Sequence, residues 1–139
     1  MASIHHEVTV EVGAEQAWAS LRAVGAPHEL FAPVLVNGEL NGDTRTVRFA
    51  NGMIVHERIL DIDDKRRRVA YTVLDGPGMT YHHASMQLVD AGPNRCRFVW
   101  ITDYVPQEIR SNLLPLIEAG TQALKINLEA AVRDEAVSS

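Results

Sequence analysis

The hydrophobic pattern of this chain changes period at Pro106, and that change decides the fold class. Before it, apolar residues alternate with polar ones in short runs. The segments between Val34 and Val105 are rich in Val, Ile, Thr, Tyr and Phe. Turn signals separate them at Asn41-Gly42-Asp43, Asn51-Gly52, Asp63-Asp64-Lys65, Gly76-Pro77-Gly78 and Ala91-Gly92-Pro93-Asn94. This predicts an antiparallel meander of about six strands. After Pro106 the period becomes 3.6. Ile109, Leu113, Leu116, Ile117, Gly120, Leu124, Asn127, Leu128 and Val132 fall on one face of a helix running to about Arg133. Such a helix buries its apolar stripe against one face of the sheet, which makes an α+β protein.

The first third of the chain adds one strand and two short helices. Ile4, His6, Val8, Val10 and Val12 alternate with His5, Glu7, Thr9 and Glu11, the period of a half-buried strand. Gly13 breaks it. Ala17, Trp18, Leu21 and Val24 then mark one side of a helix over Ala14 to Val24, which Gly25 and Pro27 stop. His28 to Phe31 adds one more helical turn before Pro33. In the long helix Pro115 lacks an amide donor and crowds the preceding turn, which predicts a kink. No repeat, low-complexity tract or linker divides the chain, so residues 1–139 are expected to form a single domain.

Composition excludes several function classes. Thirteen Lys and Arg against eighteen Asp and Glu leave a net charge of −5, which a phosphate backbone repels. Lys65-Arg66-Arg67-Arg68 is the one basic cluster, and it follows a turn as a solvated edge would; no nucleic-acid partner is expected. The single cysteine, Cys96, makes neither an internal disulfide nor a cysteine-based metal site. His5-His6 and His82-His83 are neighbours on strands, so each pair points to opposite faces, and no metal site is expected. No glycine-rich phosphate loop is present, and no cofactor is expected. Apolar runs are too short to span a bilayer, and the N-terminus lacks the basic and apolar regions of a signal peptide. The expectation is a cytoplasmic protein without membrane insertion, with homodimer formation left open.

The order strand, helical pair, six strands, long helix resembles the helix-grip fold of the START-like superfamily, which includes the birch-pollen allergens. The residues that carry the resemblance are Glu57-Arg58-Ile59-Leu60-Asp61-Ile62-Asp63-Asp64, Arg67-Arg68-Val69, Trp100, Val105-Pro106 and Ile126-Asn127-Leu128. Within the superfamily the chain is most similar to bacterial polyketide cyclase/dehydrase and lipid-transport proteins, and more distantly to plant abscisic acid receptors. The resemblance implies a curved sheet of about seven strands wrapped around the C-terminal helix, with an apolar cavity between them. It also implies polar pocket groups at Glu57 and His82, the latter standing where the plant receptors have a tyrosine.

Turn lengths predict which residues share the inner face. A four-residue loop over Asp63 to Arg66 pairs Glu57 with Thr72 and Ile59 with Ala70. A five-residue loop over Asp75 to Met79 pairs Thr72 with His82 and Ala70 with Ala84. Glu57, Thr72 and His82 then lie in one row, the outer two roughly 10 Å apart. Ala70, Thr72, Ala84, Met86 and Leu88 are small or apolar and suit the inner face; His56, Arg58, Tyr71, His83 and Gln87 suit a solvated one. On the last strand, arginines on the alternate positions favour Cys96, Phe98, Trp100, Thr102 and Tyr104 facing inward. A loop one residue shorter would instead bring Asp103 opposite His82.

Each candidate has two readings. Glu57 is a general acid/base raised by desolvation, or one half of a salt bridge with Arg45 or Arg48. His82 donates to a ligand carbonyl or shuttles a proton, or is a hydrogen-bonded histidine at the cavity edge. Trp100 and Tyr104 are core or ligand contacts, and Asn127 is a ligand contact or bonds the sheet. Thr72, Ala84, Met86, Thr102, Leu116, Gly120 and Ala123 complete the expected ligand-binding set. Two functions follow. One is a binding protein for a hydrophobic, aromatic or polyketide-like small molecule. The other is a cyclase or dehydratase that uses Glu57 and His82 as an acid/base pair. A cavity filled by its own side chains is the third outcome.

Overall fold

A computed structural model describes residues 1–138. Its elements are β1 (Ala2–Val10), α1 (Ala14–Leu21), α2 (Pro27–Leu30), β2 (Leu35–Asn41), β3 (Thr44–Phe49), β4 (Ile54–Asp63), β5 (Arg68–Val73), β6 (Tyr81–Asp90), β7 (Cys96–Val105), a 3-10 turn (Gln107–Ile109) and α3 (Arg110–Ser138). The strands form one antiparallel sheet in the order β1-β7-β6-β5-β4-β3-β2. The α+β architecture expected from the period change is present, with the seven-stranded sheet and long C-terminal helix that the helix-grip resemblance implies.

Local chemistry explains where the elements stop. α1 ends at Leu21, three residues before the predicted limit. Arg22 donates to the Trp18 carbonyl, but Ala23 turns back to Ser20, a tightening that closes the helix. Val24 is buried all the same. The Trp18 indole N–H and the Arg22 Nε–H both donate to Asp64 Oδ1, at 2.9 and 2.8 Å, which pins α1 to the β4–β5 turn. Pro27 opens α2 at a position where its missing N–H costs nothing. α3 runs through Pro115 as one assigned helix, and Pro115 gives the carbonyl of exposed Ser111 no intrahelical donor. Its buried face carries Ile117, Thr121, Ala123, Leu124 and Leu128.

The register of β5 differs from the sequence expectation, for two reasons. The β4–β5 turn comprises Asp64 to Arg67, because Asp63 already pairs with Arg68. Asp63 Oδ1 accepts the Arg66 amide at 3.0 Å, and Arg67 takes a positive φ of 54°. A bulge then intervenes between Ile59 and Asp61, so that Ile59 pairs with Tyr71 and Glu57 with Val73. On the other side Tyr71 pairs with Ala84. Val69, Tyr71 and Val73 therefore share the inner face, and Thr72 points to the outer one. The predicted β4–β5 and β5–β6 pairings are each out by one residue near the cavity, and the two shifts cancel. Glu57 and His82 keep a common face with Val73, not Thr72, between them.

On β7 the aromatic set faces inward. His82 pairs with Tyr104, Ala84 with Thr102, Met86 with Trp100 and Leu88 with Phe98. The main core joins Phe98 and Leu88 to α1 and to Leu124 and Leu128 of α3. A second cluster of Ile4, Tyr104 and Ile117 fills the space under the start of α3.

Candidate functional site

Between the concave face of the sheet and α3 lies a cavity of about 300 Å³. Val47 and Val55 supply part of its floor, Tyr71, Val73 and Met86 continue it, and Phe31 and Trp100 form an aromatic wall. Their ring centroids are 6.0 Å apart. Leu113, Leu116 and Gly120 of α3 form the roof. Gly120 permits a close approach there, since a Cβ at that position would stand 3.0 Å from the Trp100 ring and push it aside. Exposed Pro77, in the β5–β6 loop, and Asn112, at the start of α3, mark the open end.

Arg45, Glu57, Tyr71 and His82 bring polar atoms into this apolar wall. Arg45 and Glu57 are directly opposed on β3 and β4. Arg45 Nε and Nη2 each lie 2.8 Å from Glu57 Oε1, and Nη1 donates to the Val24 carbonyl at 3.3 Å. The guanidinium also sits 5.4 Å from the centroid of the Tyr71 ring. Burial pushes the Glu57 carboxyl above the usual range, against the pull of Arg45. Burial and the Glu57 charge also raise the Tyr71 phenol. The salt-bridge geometry considered for Glu57 is thus present, and Arg45 is its partner. Arg48 is exposed.

His82 stands where β5 and β6 part company. Ladder pairing between these strands runs from Arg68–Gln87 to Tyr71–Ala84. Beyond it the Val73 N–H donates to His82 Nδ1 at 3.0 Å, and the Thr72 hydroxyl donates to the His82 carbonyl at 2.6 Å. An accepting Nδ1 places the proton of the neutral ring on Nε2. Burial, with a further contribution from His83, pushes the His82 pKa down to about 4. A histidine with a depressed folded pKa stabilises the fold fully above pH 6.5. It loses that contribution as the pH falls towards 4, because the unfolded chain binds the proton first. Between those limits wild type should therefore lose stability faster than His82→Gln, by up to about 1.4 kcal/mol per pH unit. Urea unfolding at pH 7, 6 and 5 measures the difference, and parallel pH profiles would show that His82 titrates as it does in water.

Glu57, His82, Met86, Trp100, Leu116 and Gly120 line the cavity as expected. The other expected contacts do not. Thr72 faces outward because of the register shift. Ala84 is fully buried in the main core. Thr102 and Tyr104 face inward but are packed over, at 2% and 0% exposure, and Tyr104 belongs to the cluster around Ile117. Ala123 lies buried along α3, outside the cavity wall. The Asn127 amide donates to the carbonyls of Leu30 and Ala32 at 2.8 and 2.9 Å, fastening α3 to the end of α2 rather than to a ligand or the sheet. Sequence reasoning missed Tyr71 and Val73, which register alone hid. It also missed Phe31, Met53 and Met79, which come from helix and loop segments where no alternation signals facing.

A curved antiparallel sheet closed over an apolar cavity by one long helix defines a helix-grip protein. The chain belongs to the polyketide cyclase/dehydrase and lipid transport family, whose sequence profile matches residues 1–134. Among solved structures it is similar to an uncharacterised protein from Bacillus thuringiensis, with a TM-score of 0.83 and 20% identity over 91% of this chain and 98% of that one. It is also similar to norcoclaurine synthase from Thalictrum flavum, solved in complex with dopamine and hydroxybenzaldehyde. There the TM-score is 0.74 and the identity 24%, over 96% of this chain and 87% of that one. A Thermobifida fusca protein shows a TM-score of 0.75 and 26% identity over 94% and 91%. The comparison with curated proteins gives no match by sequence. No helix among the described residues is long and apolar enough to cross a membrane, and no group of three or more His, Cys, Asp or Glu among them suits a metal ion.

Proposed function

We propose that this protein binds a hydrophobic small molecule, aromatic or polyketide-like, in the cavity between the sheet and α3. The carrying observation is the cavity of about 300 Å³, walled by aliphatic and aromatic side chains with a few polar groups on one side. That volume falls at the lower end of the roughly 300–1,000 Å³ usual for small-molecule sites. The family supports the same class of ligand. Phe31, Tyr71 and Trp100 give the lining an aromatic character that suits a ring-bearing ligand. The test is fluorescence titration with N-phenyl-1-naphthylamine, an uncharged dye that brightens in apolar surroundings. It should bind the wild type saturably, and Trp100→Ala should weaken it by about fivefold, the loss of one aromatic contact at about 1 kcal/mol. Binding no stronger than to an unrelated globular protein would refute the proposal.

A cyclase or dehydratase is the second reading, favoured by Glu57 and His82 on one wall. Glu57, raised by burial, is suited to take a proton from a carbon beside a carbonyl. His82 suits only the donor's part, since its Nδ1 is already occupied and the neutral ring keeps its proton on Nε2. A poly-β-keto thioester incubated with the protein should then cyclise, and Glu57→Gln should abolish the reaction while dye binding survives. Cyclisation no faster than in buffer would leave the binding function alone.

A further inference from the structure

We propose that the Arg45–Glu57 ion pair is a charge filter for this cavity, which admits uncharged molecules bearing a hydroxyl or enol group and refuses carboxylates of the same size. The inference rests on the cavity being a ligand site. Among the described residues lining it, Arg45 and Glu57 are the charged side chains, and they neutralise each other at contact distance. The side chains are 9% and 10% exposed, so neither charge is screened by bulk water. The positive charge is also committed elsewhere, with Nε and Nη2 on Glu57 Oε1, Nη1 on the Val24 carbonyl and Cζ 5.4 Å from the Tyr71 ring centroid. His82 adds no charge, because its Nδ1 accepts the Val73 amide as only a neutral ring can. A carboxylate that enters must shed its hydration with no uncommitted cation to replace it, and must approach a like charge on Glu57. An ammonium must compete with Arg45 for Glu57. Glu57 Oε2 takes no bond from the described residues, so an O–H group on an uncharged ligand has an acceptor waiting at the wall.

The filter makes a prediction that simple apolarity does not. An apolar cavity rejects carboxylates whatever stands at position 57, whereas here rejection depends on Arg45 being paired. The experiment is displacement of N-phenyl-1-naphthylamine at pH 7.5 by 2-naphthol, 2-naphthoate and methyl 2-naphthoate. In the wild type, naphthol and the ester should displace the dye, and naphthoate should be weaker by at least about tenfold. The ester shows that size is not the cause. In Glu57→Gln, whose amide oxygen can still accept from Arg45, the cation is no longer neutralised. Naphthoate should gain at least about tenfold relative to naphthol. In the mirror variant Arg45→Met, the carboxylate is left alone, and 2-naphthylmethylammonium should gain instead. The wild-type series with either variant suffices if the other does not fold. Naphthoate competing as well as naphthol in the wild type overturns the filter, and so does an unchanged probe order in the variants, with the ligand-cavity reading still standing. Failure of the dye to bind the wild type overturns that reading, and the filter with it.

Discussion

Glu57→Leu should lower the unfolding free energy by about 3–5 kcal/mol, and the double variant Arg45→Met/Glu57→Leu should recover most of that loss. The single replacement leaves a guanidinium on the inner face with its main acceptor gone, since Val24 offers one longer bond at 3.3 Å. The double replacement removes both charges and puts two apolar side chains beside Val47 and Val55, which already line that wall. Urea denaturation at pH 7 of the wild type, both singles and the double completes the cycle. A loss below about 1 kcal/mol for the single variant would mean that water reaches the pair, as it does for surface ion pairs. That outcome would also remove the basis for charge selection in the cavity.

Gly120→Leu should close the site. The added Cβ would stand 3.0 Å and 3.3 Å from two carbons of the Trp100 ring, closer than a side chain sits without displacing its neighbour. Trp100 is only partly buried and borders the cavity, so the yielding direction is into the open volume. The leucine then occupies the space from the roof while the indole advances from the wall. The cost in stability should be about 1–3 kcal/mol, typical of overpacking, while affinity for N-phenyl-1-naphthylamine should fall at least about tenfold. Both are read from one preparation, by thermal unfolding and by dye titration. Undiminished dye binding by a folded Gly120→Leu protein would place the ligand elsewhere.

The fold was legible because its two periods are clean. Alternation in β1 and the 3.6 period of α3 name their buried faces with little help from context. The site was legible only in part. Facing on β6 followed from Ala84, Met86 and Leu88 alternating with His83 and Gln87, and on β7 from Arg95 and Arg97, which seek water. β5 gave no such signal. Val69, Ala70 and Tyr71 are all buried, so its two faces are nearly equal in hydrophobicity, and the bulge beside Leu60 leaves no mark in residue type. Tyr71 was therefore assigned to the wrong side, and the ring that backs Arg45 went unseen. Tyr104 and Asn127 show a different limit. Both lie on the expected faces, but pattern alone does not say whether an inward side chain meets empty space or another side chain.

The pairing of β1 with β7 has a consequence for how the chain reaches this state. Ala2 lies opposite Tyr104 and Val10 opposite Cys96, so the first strand made completes its ladder only with the last. The hairpins from β2 to β7 close over short loops, but β1 needs a loop of most of the chain. During synthesis at roughly 5–20 residues per second, β1 waits on the order of ten seconds for its partner. A bare strand edge exposed that long invites pairing with another molecule. The outward positions of β1 carry Ser3, His5, Glu7 and Thr9, with Glu11 just beyond it. Those polar side chains guard the waiting strand against self-association before β7 and α3 arrive to cover it.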